Sequence, residues 1–463
     1  MAKRRIASSR FAAPLSASLP WRPKWPLAWI KWQLLIAIII LTLAYDFIQH
    51  LTGQAVFFVA VPVLLYLGIN FIARHDRPIY VSLFDVISFG LWFYLLASLV
   101  VKSTISDPPF DVILRSLRFV VVTAMFYTVM SVSQTNLLAY TKVMYFTSIA
   151  LIGTCLFAFL QVIGQQTGLF DLFLEYSRTR TFLSVWQATA YFAEPALLGQ
   201  FLVACLFIFF IDMRSIVQHW LALAIVLVAI LLTQSVGALF GLLVWSIVLV
   251  LYSINQVLSS RYLYSKVLAI GLIALGLLSF ATVSRLSLMD LGTLEGLDAS
   301  GHQRVTGELL TLQYMLEQHR IEGLLFGLQE AEAETIRSAV GFSERVSGNA
   351  LVEIVLRYGA VVPVLLLLQF CATVGLAGGL LLFGIFALLG QIDGSVAKPF
   401  LWLYIALVAL SLCYGRSQPV RKAAALAASQ AYRAECDQLT SEVHRSNWNP
   451  AQRRTMGIKG PVA

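Results

Sequence analysis

Apolar runs long enough to cross a bilayer follow one another along most of the chain, separated by short polar breaks. A hydrocarbon core of about 30 Å takes roughly 20 helical residues. On that measure, spans are expected near 33–49, 54–73, 79–101, 112–132, 143–164, 192–211, 219–235, 237–254, 266–284, 350–370, 374–391 and 399–414. The pattern predicts an all-α, polytopic membrane helix bundle of about twelve transmembrane helices. The stretch 350–391 is almost unbroken and is divided at "GLAGG" (375–379), which reads equally well as a kink inside one helix.

Two polar breaks are long, at 165–191 and 285–349. In the second, Leu309, Leu312, Met315 and Leu316 recur at helical spacing. They predict an amphipathic helix over 303–323 that lies on the membrane surface or caps a cavity. "QEAEAETIRSAV" (329–340) predicts a shorter second helix. The chain therefore divides into a basic tail (1–32), nine spans with an outer loop at 165–191 (33–284), a large loop (285–349), three spans (350–414) and a second basic tail (415–463).

Composition agrees with this pattern: 59% of residues are hydrophobic, 12% are charged and the mean hydropathy is +0.79. These values place the chain among membrane proteins. The net charge of +9 is concentrated in the two tails, so it signals cytoplasmic ends and not a nucleic-acid partner. With an even number of spans both termini are cytoplasmic, and Arg74, Arg77, Arg261 and Lys266 fall in cytoplasmic loops. Arg115 and Arg118 then stand at the non-cytoplasmic end of the fourth span, against the positive-inside rule. The first apolar run has no small-residue cleavage site behind it and is expected to be a retained span. The five cysteines show neither CxxC nor Cys/His spacing, so no disulfide, metal site or cofactor is expected.

The candidate chemistry gathers in the outer loops and at their junctions with the spans. Arg178 and Arg180 in "SRTRTF" suit bidentate capture of phosphate oxygens, or are solvated loop residues. In "YFAEPALLG", Pro195 is placed to open a helix with Glu194 at its N-cap. A carboxylate there stabilises the helix end, or serves a site at the membrane boundary. Arg285 and Arg304 lie in the large loop, with His302 two residues before the latter. Asn349, Glu353 and Arg357 share one helix face, where the last two are either an i,i+4 ion pair or substrate contacts. Gly237 and Gly241 in "LTQSVGALFG" form a small-xxx-small pair that predicts close helix packing.

These segments, in this order over roughly 140–415, resemble the O-antigen polymerase and O-antigen ligase superfamily, which includes the Wzy-type polysaccharide polymerases. The resemblance is carried by "FAEPALLGQFL", "LTQSVGALFG", "RVTGELLTLQYMLEQHRIEGLLFG" and "GNALVEIVLRYG", in which Gly359 follows Asn349 by ten residues. Three departures bear on the activity. Gly348 stands where ligases place a His, which argues for a polymerase. Val236 replaces the Arg of an "S-R-G" pattern. The spacing of Arg, ten residues and Gly is met from Arg285 to Gly296 but not from Arg178 or Arg180.

The resemblance implies a metal-independent glycosyltransferase of the bacterial inner membrane. It would join undecaprenyl-diphosphate-linked oligosaccharides on the periplasmic face into an O-antigen or exopolysaccharide. Expected partners are that lipid-linked substrate, membrane lipid, a chain-length regulator and a flippase. Within it, Glu194 and Arg304 are the expected catalytic residues, and Arg178, Arg180, Arg285, Asn349, Glu353 and Arg357 the expected substrate contacts. The alternatives are an O-antigen-type ligase, with His302 standing in for the missing His, and a transporter of lipid-linked sugar.

Overall fold

The computed structural model describes residues 25–53, 55–74, 82–105, 110–135, 137–174, 181–182, 185–211, 213–252, 277, 313–314, 316–317, 321–328, 332, 335–336, 350–392 and 398–415. The helices are α1 (Trp25–Leu43), α2 (Tyr45–Thr52), α3 (Ala55–Arg74), α4 (Leu83–Ile105), α5 (Phe110–Thr135), α6 (Leu137–Thr167), α7 (Pro195–Phe209), α8 (Met213–Gln218), α9 (Trp220–Thr233), α10 (Val236–Tyr252), α11 (Ile321–Phe326), α12 (Ala350–Tyr358), α13 (Val361–Val374), α14 (Leu376–Ile392) and α15 (Pro399–Gly415). The all-α expectation takes one small addition. In the outer loop, Thr181–Phe182 and Val185–Trp186 pair antiparallel, Thr181 opposite Trp186.

Among the described residues, three stretches are long and apolar enough to cross a membrane unbroken: Leu83–Ser103, Ile113–Ser131 and Tyr140–Thr167. A fourth is a bent pair, and seven further apolar helices are 10–17 residues long. The bend departs from the straight span expected at 33–49. α1 and α2 meet at 73° around Ala44, which brings the buried Asp46 to accept the Ala193 backbone N–H at 3.0 Å. The span expected at 350–370 is likewise broken, at Gly359. The division at "GLAGG" is found, with Gly375 ending α13 at φ +81°. The span expected at 266–284 lies outside the described residues, apart from one helical residue at 277.

The burial pattern is that of a membrane protein. α3, α4 and α6 turn Phe57, Leu64, Phe93, Ile152 and Leu156 outward, while Ser88, Thr123, Thr128, Gln161, Gln200 and Gln369 are buried. In lipid, outward apolar side chains cost nothing and polar ones must pair inside. Gln369 accordingly donates to Ser88 Oγ (2.8 Å) and Gln200 to the Leu389 carbonyl (2.7 Å). α7 and α15 are buried nearly all round and form the centre. Trp402 of α15 sits between Phe119 of α5 (5.6 Å between ring centroids) and Phe386 of α14 (5.3 Å).

Small residues set the helix spacing, as the motif at 237–241 predicted. A Cβ on Gly237 would meet Ile392 of α14, and one on Gly241 would press on Val203 of α7. In the same turn Thr233 and Ser235 serve the backbone. Thr233 Oγ1 accepts the Ser235 N–H, and Ser235 Oγ accepts the Ala238 N–H at the start of α10. The four described cysteines, Cys155, Cys205, Cys371 and Cys413, are free thiols in helices.

Candidate functional site at one end of the bundle

The start of α7 is built on a short buried loop. Residues 187–194 are non-helical, and Ala188, Thr189, Ala190 and Phe192 are buried. Irregular backbone at this depth needs internal hydrogen-bond partners. Gln161 of α6 supplies most of them: its Oε1 accepts from Thr189 and Ala190 N–H (3.3 and 2.7 Å), and its Nε2 donates to the Ala190 and Leu172 carbonyls (2.7 and 3.2 Å). Ala188 N–H donates to the Leu232 carbonyl (2.9 Å) and Tyr191 Oη meets Thr154 Oγ1 (3.0 Å). The loop delivers Glu194 at the N-cap in extended backbone, with Pro195 as the first helical residue. Glu194 makes no side-chain capping hydrogen bond.

α12 reaches the same end through α14. A Cβ on Gly390 would collide with Ala350, the first residue of α12. Leu389, next to Gly390, accepts from Gln200, which lies less than two turns below Glu194 on α7. The "FAEP" and "NALVEIVLRYG" segments, 155 residues apart from Glu194 to Asn349, thus begin their helices at one end of the bundle.

At the far end of α12 a second helix end meets it. α11 and α12 both finish on glycines in the left-handed region, Gly327 at φ +81° and Gly359 at φ +85°. Each closes its last turn with a backbone N–H to the carbonyl four residues back, at 2.9 Å. The two ends abut: Leu328 N–H donates to the Leu356 carbonyl at 2.7 Å. Two abutting helix C-termini concentrate partial negative charge, and α4 answers it. Lys102 Nζ donates to the Arg357 and Leu328 carbonyls (2.6 and 3.3 Å). Tyr94 Oη lies 3.1 Å from both the Leu325 and Tyr358 carbonyls, which share its one proton. Beside this junction Leu328, Ile336 and Leu356 form a small buried cluster with Tyr314 packed on it. Leu328, Ile336 and Tyr314 of the large loop are thereby packed on α12; most of the helix expected at 303–323 lies outside the described residues.

Glu353 and Arg357 face each other at 3.0 Å, largely buried. The i,i+4 ion pair is thus present, and substrate contact remains open to a direct test. If pairing is their whole role, Glu353→Ala and Arg357→Ala should each lower stability by about 1–3 kcal/mol, and the double variant should restore part of it. If Arg357 also binds substrate, the double variant should fold but make no polymer. A double-mutant cycle on thermal stability, alongside polymer yield, separates the two.

Arg178, Arg180, Arg285, His302, Arg304 and Asn349 lie outside the described residues. The structure adds groups to this end of the bundle that motif spacing passed over. Asp46 of α2 accepts the Ala193 N–H of the 187–194 loop, and Tyr45 beside it packs edge-on against Phe400 of α15. Arg115 of α5 lies beside α12, its carbonyl 3.4 Å from Tyr358 Oη.

A family model for WcaD colanic acid polymerase matches residues 32–389, about three quarters of the chain. The chain belongs to the WcaD colanic acid polymerase family. No curated protein and no solved structure matches it. Membership makes this a membrane polymerase of glycosyltransferase type that joins lipid-linked oligosaccharide repeat units into exopolysaccharide. It favours the polymerase over the ligase and the transporter. The matched stretch includes both Glu194 and the whole of α12.

Proposed function

We propose that the chain polymerises undecaprenyl-diphosphate-linked oligosaccharides on the periplasmic face of the bacterial inner membrane. In this reading it spans the membrane about twelve times, with both tails cytoplasmic and residues 165–191 and 285–349 periplasmic. The observation that carries the reading is the convergence of Glu194 and the start of α12 at one end of the bundle, within the matched stretch. Both long polar loops adjoin those two segments in the chain.

The reaction needs no outside energy source, because the donor glycan is already activated by its diphosphate. A hydroxyl of the acceptor repeat attacks the anomeric carbon of the donor. The bond from that carbon to the diphosphate oxygen breaks, and its electron pair leaves on the diphosphate. The hydroxyl proton passes to a carboxylate base, for which Glu194 is the candidate. Charge growing on the leaving diphosphate is met by guanidinium forks from Arg304 and Arg180, which makes the chemistry metal-independent. Arg178, Arg285, Asn349, Glu353 and Arg357 are proposed to line the glycan path. A flippase that delivers the donor and a chain-length regulator are proposed partners.

The test is a null strain complemented with Arg304→Ala or Glu194→Ala, with polymer and lipid-linked intermediates both measured. Loss of an acid–base group typically lowers rate about 10²–10⁴-fold. Glu194→Ala should therefore abolish visible polymer while single repeats accumulate on lipid, with Glu194→Gln no better. Normal polymer from both variants would refute the site assignment.

A further inference from the structure

Gln234 closes α9 in the "LTQSVGALFG" segment, whose glycines are explained by packing and whose glutamine is not. Its backbone is left-handed, at φ +49° and ψ +25°, a conformation that glycine or asparagine normally takes at a helix end. Among the described residues only Ala190 shares a positive φ without being glycine, also at +49°. The two belong to neighbouring turns, tied by the Ala188 N–H to the Leu232 carbonyl at 2.9 Å. Backbone strain of this kind gathers at ligand sites.

The turn holds itself together without the Gln234 side chain. Gln234 N–H donates to the Leu231 carbonyl (3.1 Å), Thr233 Oγ1 donates to the Ile230 carbonyl (2.7 Å), and Ser235 Oγ accepts the Ala238 N–H (3.4 Å). Gln234 Oε1, by contrast, is buried and meets no hydrogen-bond donor among the described residues. An unmet buried acceptor is costly and calls for a donor from outside the chain.

Close contacts place the turn at the proposed site. A Cβ on Gly199 of α7, five residues after Glu194, would collide with Ala238 and lie 3.7 Å from the Ser235 Cβ. On the other side Gly237 packs on Ile392, the last residue of α14, and Gly390 of α14 packs on Ala350 at the start of α12.

We infer that Gln234 is a specificity contact that holds a hydroxyl of the glycan in the lipid-linked repeat; this rests on the polymerase site proposed above. A diphosphate only accepts hydrogen bonds, so the amide oxygen repels it, whereas a sugar hydroxyl donates. The hydroxyl also accepts, so it pairs equally well with the amide turned over.

The test uses the full chain in phosphatidylcholine nanodiscs, with lipid-linked single repeats extracted from a null strain as substrate. Gln234→Leu, close to it in size, should raise KM for the repeat about three- to tenfold, the loss expected of one neutral hydrogen bond, and change kcat less. Gln234→Gly relieves the left-handed strain, so it should melt no lower than wild type and still show the raised KM. A raised KM that comes with a lower melting temperature in both variants marks a structural role and overturns the contact, as does a wild-type KM in both. Undecaprenyl diphosphate without glycan should inhibit wild type and variants equally. Inhibition weakened in the variants assigns Gln234 to the diphosphate and overturns the glycan contact. Glu194→Ala run alongside separates the two readings. If it is inactive while Gln234→Leu matches wild type, only the contact falls; if it too matches wild type, the site falls with it.

Discussion

Gly359→Ala is expected to be among the most damaging single-methyl changes in this protein. At φ +85° an alanine carries strain of about 1–3 kcal/mol, and its Cβ would overlap the Leu325 carbonyl of α11. Backbone cannot move aside as a flexible side chain can, so the two helix ends must part. The Leu328–Leu356 hydrogen bond and the grip of Lys102 and Tyr94 on both ends would go with them. Two other glycines calibrate the effect. Gly375 has the same φ sign with open space around its Cβ position, so Gly375→Ala should cost only the strain. Gly384 sits inside α14 with nothing within 4 Å, and alanine there should be neutral or stabilising by up to about 1 kcal/mol. Thermal unfolding in detergent should rank Gly359→Ala well below Gly375→Ala, and Gly384→Ala at or above wild type. A Gly359→Ala protein as stable as Gly375→Ala would mean that α11 and α12 do not abut.

Gln161→Leu is the second. Leucine nearly matches glutamine in size, so the loss is polar and not a cavity. The backbone N–H groups of Thr189 and Ala190 and the carbonyls of Leu172 and Ala190 would lose their partner. Each buried polar group left unmet costs about 1–3 kcal/mol. Partial relaxation still leaves an expected loss of several kcal/mol, concentrated in the loop that delivers Glu194. Polymer formation should therefore fall before the helix bundle melts. Limited proteolysis within 170–195, set against global thermal unfolding, would separate the two; unchanged protease resistance would show that Gln161 does not hold the loop.

Much of the architecture was legible in the chain. The apolar runs located the helices because transfer of 15–20 apolar side chains into lipid outweighs any local preference. Pro195 marked the start of α7 through its fixed φ and missing N–H, and "GLAGG" marked the end of α13. Gly359 was visible by its spacing from Asn349, but its purpose was not. Only the approach of α11 shows why no Cβ fits there. The bend at Ala44 carries neither proline nor glycine, so the pattern of residues 33–49 read as one straight span.

The candidate site was legible in part, for a related reason. Glu194, Glu353 and Arg357 stand out because charge is rare beside a span. Arg115 and Arg118 stood out only as an exception to the positive-inside rule, and the contact of Arg115 with Tyr358 of α12 is a matter of packing. The amino-acid pattern alone determined that this protein lives in a membrane, where its helices run and which ends carry charge. The tertiary structure decided which helices are neighbours. In a bilayer the core and the lipid are equally apolar, so hydrophobic periodicity does not say which face turns inward. That choice falls to small residues such as Gly237, Gly241 and Gly390, and to buried amides such as Gln200 and Gln369, whose partners lie far away in the chain.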